Sequence, residues 1–222
     1  MSEATTTLPA APEHPPFLQH HYRAMGQQFD AGKIGMWLFL VTEVLLFGGL
    51  FVGYAIMHAK HPAAFFEAHH QLSRTLGTVN TVVLLVSSFT MVLAVWSAQT
   101  SKRKLLILFL TLTLLCAATF MVVKGFEYHH KFAEGLLPGN FYTHRGDTVP
   151  GQFMFFSFYF MMTGLHGIHV LCGMGAISWL LRRAIRGHFS SAYYNPVDLV
   201  GLYWHLVDMV WIYLFPLLYL IS

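Results

Sequence analysis

IGMWLFLVTEVLLFGGLFVGYAIM, residues 34–57, holds one charged side chain in 24 residues. At about 1.5 Å of rise per residue, a helix of that length crosses a hydrocarbon core of about 30 Å. Four further apolar stretches follow, 76–98, 105–126, 151–181 and 197–221. Five spans with their connections use most of the 222 residues. The chain is therefore expected to be all-α, a polytopic membrane bundle of five transmembrane helices forming one domain over 34–222, preceded by a tail over 1–33. The fourth stretch is longer than a crossing needs, which predicts tilt or projection beyond the bilayer.

Composition points the same way. The chain is 55% hydrophobic and 10% charged, against about 45–50% and about 25% in an ordinary soluble domain. A net charge of +3 spread over so apolar a chain supplies no basic stripe on a soluble face, so nucleic acid is not an expected partner. The two cysteines, Cys116 and Cys172, lie inside apolar runs with no CxxC or CxxCH. Disulfides, thiolate metal sites and covalently attached haem are thereby set aside. Residues 1–33 carry Pro9, Pro12, Pro15 and Pro16 and no apolar run of signal-peptide length, so they read as an uncleaved, poorly ordered cytoplasmic tail.

Lys and Arg close to a membrane favour its cytoplasmic side. Lys102, Arg103 and Lys104 crowd the turn between the second and third stretches, and Arg182, Arg183 and Arg186 the turn between the fourth and fifth. Both turns are expected inside, which places the N-terminus inside and the C-terminus outside. The loops 58–75 and 127–150 then fall outside. Pro138, Gly139, Asn140, Gly146, Pro150 and Gly151 mark the second of these as a connector.

Inside a bilayer the informative residues are the polar ones, because an ionisable group near the centre costs at least ~2.5 kcal/mol unless paired, neutralised or hydrated. Glu43 lies nine positions past Ile34, about 14 Å along a helix axis and close to mid-depth. Two uses are open to it: a neutral acid bonded to a neighbouring helix, or a group that handles protons. Gly49 and Gly53 form a GxxxG step whose small face lets another helix or a lipid chain approach. In the fourth span His166 and His169 share a helix face, and in the fifth His205 and Asp208 do. If those faces meet, three imidazoles and a carboxylate converge. A metal site is one reading of such a cluster. A closed hydrogen-bond network, with Asp208 holding one imidazole, is the preferred one. Glu127, with Tyr128, His129 and His130, sits at the outer end of the third span, where a solvated interfacial cluster is the default expectation.

Three segments together carry a resemblance. FMMTGLHGIHVLCG (160–173) contains T-G-x-H-G-x-H-V-x-x-G, YWHLVDMVWIYL (203–214) contains Y-W-H-x-V-D-x-V-W, and WLFLVTEVLLFGGLFVGY (37–54) contains a T-E pair followed by aromatic and small residues. NTVVLLVSS from Asn80 and FEYHH from Phe126 add shorter echoes. In this order and spacing, from about residue 28 to the end, the chain resembles subunit III of the haem-copper respiratory oxidases, in the five-helix bacterial form. The long form of that family has two further N-terminal spans, and whatever those helices contribute to its cleft cannot be carried over.

The resemblance implies a subunit with no catalytic, cofactor-binding or metal-binding residue of its own. Haem and copper would lie in partner subunits I and II, with bound phospholipid in a cleft of this chain. Glu43, His166, His169, Arg182 and Arg183 match the lipid cleft or proton-related positions. Glu127, His205 and Asp208 match an interhelical polar network. The implied partners are oxidase subunits I and II, phospholipid, cytochrome c and a larger respiratory supercomplex, in the bacterial inner membrane. The implied activity belongs to the complex: electrons pass from cytochrome c to oxygen, protons are pumped, and this chain stabilises subunit I near a proton entry. A quinol oxidase subunit III is the alternative. An accessory subunit of a nitric oxide reductase, a small transporter and a membrane cytochrome are more distant ones.

Overall fold

The computed structural model describes residues 22–137, 151–191 and 193–220. They form six helices and no strand: α1 (Met25–Lys60), α2 (Pro62–His69), α3 (Arg74–Gln99), α4 (Arg103–Ala133), α5 (Gln152–Ile185) and α6 (Asn195–Tyr219). All but α2 are long and apolar enough to cross a membrane.

The buried positions explain how the long helices pack. On α4 they are Leu106, Leu110, Thr113, Ala117, Phe120, Lys124, Glu127 and Lys131, a strict alternation of four and three residues. On α3 the run Gly77, Asn80, Leu84, Ser87, Met91, Ala94 and Ala98 keeps the same repeat, and α5 keeps it from Gln152 to Ala184. A period of 3.5 keeps one helix face against its neighbours along its whole length, as in left-handed bundles. Accordingly α3, α4, α5 and α6 form a four-helix core, with α3 against α4 and α6, and α5 against α4 and α6. By contrast, α1 buries only Leu40, Phe47 and Tyr54, one residue every two turns. It lies outside the core on α5 and α6.

Small residues let the core helices close. A Cβ on Gly173 would stand 2.6 Å from the Trp204 ring, and one on Gly77 2.8 Å from Phe215. Both basic turns meet at one end of the bundle. The Arg103 guanidinium donates to the carbonyls of Ala184 and Ile185 at the end of α5, and Ser191 N–H donates to Ser101 Oγ at 2.8 Å.

Several expected boundaries shift. The first helix begins at Met25 rather than Ile34, so residues 25–33 of the expected tail are helical. That added stretch has a partner: Phe29 packs edge-on against Tyr194, and Lys33 pairs with Asp198 at 3.4 Å. The expected loop 58–75 contains α2, started by Pro62 in its first turn. The third span continues to Ala133 rather than 126 because Lys124, Glu127 and Lys131 extend its buried repeat. Residues 1–21 of the tail, and the connector signals from Pro138 to Pro150, lie outside the described residues.

The corner between α2 and α3 is polar. Lys131 donates to the Gln71 carbonyl at 2.6 Å and to Glu134 at 2.9 Å. His69 Nδ1 donates to the Phe66 carbonyl, and its Nε2 accepts from Arg74 at 3.1 Å, a geometry that requires a neutral ring. Burial, with His70 and Arg74 beside it, holds the His69 imidazole below its usual range.

Two outcomes follow from this packing. Gly173→Ala should lower the apparent unfolding midpoint of the detergent-solubilised chain, an overpacking cost of about 1–3 kcal/mol. Gly175→Ala, where a Cβ meets nothing within 4 Å, should not, and equal effects would count against the close α5–α6 contact. At the corner, a depressed folded pKa means that the contribution of His69 is complete above the ordinary imidazole range. It is lost as pH falls through the lowered value. Hydrogen exchange across 61–75, corrected for intrinsic rate, should therefore accelerate on acidification in the parent chain and not in His69→Asn.

Candidate functional site

Two polar centres lie within the membrane-spanning part. The first joins α1 to α5: Glu43 Oε2 and His169 Nε2 are 2.9 Å apart, with side chains 13% and 15% exposed. His169 Nδ1 donates to the Leu165 carbonyl at 2.8 Å. A carbonyl only accepts, so Nδ1 carries a proton and one further proton is shared between Nε2 and Oε2. Phe47 lies edge-on to the ring at 5.3 Å, and the Tyr203 hydroxyl donates to the backbone carbonyl of His169. Against this pair runs an open groove of about 380 Å³ lined by Met36, Phe39, Ile168, His169, Cys172 and Tyr203 among others. Its walls are almost wholly apolar, which suits a hydrocarbon chain, and His169 of the pair is a polar point in them. The expected step at Gly49 and Gly53 is only half used. Gly53 faces Phe158, whereas a Cβ on Gly49 would meet nothing within 4 Å.

Of the second centre the sequence singles out Glu127, which the family resemblance matches to an interhelical polar network, but not Lys124. Lys124 and Glu127 are buried and paired at 2.9 Å. The Lys124 ammonium spends its other two donors on the hydroxyls of Tyr159 (3.1 Å) and Tyr219 (3.2 Å). Tyr219 in turn donates to Glu127 Oε1 at 2.6 Å. The Trp211, Tyr159 and Tyr128 rings lie about the ammonium within 5.4 Å, an arrangement favourable to a desolvated cation. Glu127 is thus no solvated interfacial residue, as its outer position suggested, but part of a core network linking α4, α5 and α6. The clue lay in spacing: Lys124 and Glu127 continue the repeat that begins at Leu106, and a repeat that buries leucines buries whatever occupies its next positions.

The three imidazoles do not converge. His169 turns to Glu43. His205 Nδ1 shares a hydrogen bond with Ser88 at 2.8 Å. His166 is buried against Phe120 and Trp211, with no hydrogen-bond partner for either ring nitrogen among the described residues. Among the described residues Asp208 holds no imidazole. Ser88 lies beside that carboxyl but is oriented to His205. The reason is rotation: residues three apart are offset around the helix, so on α5 His169 is turned to α1 while His166, one turn earlier, faces the core. Among the described residues no three His, Cys, Asp or Glu side chains gather as a metal ligand set. Arg182 is exposed at the end of α5, and Arg183 lies over the Trp179 ring at 4.9 Å.

The family described as cytochrome c oxidase subunit III matches the chain over residues 16–222. A probable cytochrome c oxidase subunit 3 of Mycobacterium leprae is 32% identical over 189 residues, covering 85% of this chain and 87% of that protein. A probable quinol oxidase subunit 3 of Staphylococcus haemolyticus is 31% identical, covering 86% and 89%. A cytochrome bo(3) ubiquinol oxidase subunit 3 of Pseudomonas putida is 28% identical, covering 87% and 88%.

Removing one member of a buried ion pair costs about 3–5 kcal/mol, whereas replacing both by apolar groups of similar volume is often neutral. Lys124→Met and Glu127→Leu should each lower the apparent unfolding midpoint strongly, and the double variant should recover part of the loss. Additive losses would show that the two side chains do not act as a pair.

Proposed function

The chain belongs to the cytochrome c oxidase subunit III family, and from that premise we propose that it is the third subunit of a bacterial respiratory haem-copper oxidase that takes electrons from cytochrome c. It is a multi-pass membrane protein and part of an oxidase complex. The observation that carries the reading is the extent of the family match, which takes in every membrane-spanning helix.

In this reading the chain sits in the inner membrane with its N-terminus inside, docked against subunits I and II. Haem and copper belong to those subunits, and the redox reaction and proton pumping occur there. No bond is made or broken on this chain. Its own residues hold structure beside the catalytic subunit near a proton entry. The shared proton between Glu43 and His169 pins α1 to α5, and the apolar groove beside the pair receives a phospholipid chain. Arg182 and Arg183, at the end that carries both basic turns, suit lipid phosphates. The ties made by Lys124, Glu127 and His205 keep the core helices in register. Cytochrome c and a larger respiratory assembly are partners of the complex.

A quinol oxidase subunit is the second reading, favoured by relatives of that name at similar identity. Purification of the complex in mild detergent separates the two. Oxygen uptake driven by reduced cytochrome c supports the first, and uptake driven by quinol alone the second. A chain that copurifies with no haem protein refutes both. Within the intact complex, Glu43→Ala should leave the haem spectrum unchanged but reduce retained phospholipid or shorten the time to half-loss of turnover, because a buried polar partner is removed. Loss of the haem signal in that variant would argue against a supporting role.

A further inference from the structure

Where α1 approaches its apolar stretch, the start of that helix and the start of α6 flank an open pocket of about 220 Å³, lined by Met25, Phe29, Asp30, Tyr193, Tyr194 and Asn195 among others. Three of these carry aromatic rings, and Phe29 stands edge-on to Tyr194 at 5.4 Å. Asp30 is exposed and makes no ion pair among the described residues. Lys33 follows it by one turn. Its ammonium lies over the Phe29 ring, 4.6 Å from the centroid, and 3.4 Å from Asp198. An ammonium has three donors, and this side chain is 41% exposed, so it keeps the capacity to meet a second anion.

The order of these two charges along the helix is informative. The apolar run begins at Ile34, so Lys33 stands at the edge of the hydrocarbon and Asp30 about 4.5 Å farther out along the axis. Residues three apart are neighbours on a helix surface. A cation at the hydrocarbon edge with an anion beyond it complements a zwitterionic phospholipid, whose phosphate adjoins the glycerol and whose ammonium lies outermost. The axial step is also comparable to the separation of phosphorus and nitrogen across an ethanolamine bridge.

We propose that this pocket binds the headgroup of one phosphatidylethanolamine, its ammonium at Asp30 against the aromatic wall and its phosphate at Lys33. Aromatic faces attract a cation whatever its substitution. Asp30 adds charge-assisted hydrogen bonds, which need an N–H. A choline headgroup has none, and a phosphatidylglycerol headgroup brings no cation to Asp30. The site shares no lining residue with the groove beside His169. It depends on the membrane fold and not on which electron donor the oxidase uses.

The test is native mass spectrometry of the complex purified in mild detergent, stripped of loosely held lipid and titrated with phosphatidylethanolamine, phosphatidylcholine or phosphatidylglycerol of the same acyl chains. Asp30→Asn should weaken the binding of one phosphatidylethanolamine by about tenfold, as expected for the loss of one charge-assisted hydrogen bond, and leave phosphatidylglycerol binding unchanged. Asp30 is exposed, so this change leaves the fold intact. Unchanged phosphatidylethanolamine binding in Asp30→Asn would overturn the proposal. So would an equal dependence on Asp30 for phosphatidylcholine, which would remove the need for an N–H. Displacement of the lipid by free ethanolamine at matched concentration would overturn it too, because that amine has no phosphate for Lys33. The haem spectrum of the same sample checks the oxidase reading separately.

Discussion

Inside a bilayer, moving an apolar side chain from lipid to a helix interface gains little, because hydrocarbon is already its solvent. That constraint decides what can specify this bundle. Close approach and polar pairing remain, and the seams are built from both. Trp204 fills the space left by Gly173 while its N–H meets Ser87, and the Trp211 N–H likewise meets Thr81. Thr90 and Thr113 bond directly between α3 and α4 at 2.8 Å. At the far end the pair of Lys124 and Glu127 gathers hydroxyls from α5 and α6. Each contact has a fixed register, so together they choose one alignment from the many that apolar faces alone would allow.

The same constraint accounts for the odd position of α1. A large share of its surface is exposed and apolar, with Trp37, Leu38, Leu45 and Val52 each more than half accessible. In water such a helix would collapse onto the core. Here its attachment rests on polar points spaced along its length: Lys33 to Asp198, Glu43 to His169, and the Tyr54 hydroxyl to the Leu217 carbonyl at 2.8 Å. The helix is fixed in register and angle without being enclosed. Its outward face is left to lipid or to another membrane subunit, which suits a chain from an oxidase complex.

Much of this was legible before any coordinates, and the parts that were not have a common cause. Hydropathy alone identifies five crossings, because solvent sets it residue by residue. Helix ends were less readable. Met25 to Lys33 is polar enough to pass for loop and Pro62 to His69 is too short to register as a crossing, and their helicity is settled by what they touch, Tyr194 and Asp198 in one case and α5 in the other. Glu43 could be identified as buried from its depth, but its partner could not, since any facing helix might supply one. His166, His169, His205 and Asp208 show the converse. Spacing on each helix was read correctly, and the convergence drawn from it failed because rotation about the helix axis is a tertiary quantity. The strict repeat on α4 did hold that information for Lys124 and Glu127, since Leu106, Leu110 and Phe120 fix which face is inward.

Burying Lys124 with Glu127 is a costly way to join helices, and apolar residues of the same volume would often serve as well. Its advantage lies in what it forbids. An apolar seam in lipid tolerates a slip of one residue, since every neighbouring rotation offers another apolar face. With the pair in place, the same slip strands an ammonium and a carboxylate in hydrocarbon, away from Tyr159 and Tyr219. The penalty falls on the wrong alignments rather than on the right one. In the proposed role of holding neighbouring subunits in position, such a barrier counts for more than added stability, because geometry is what the chain would transmit to them.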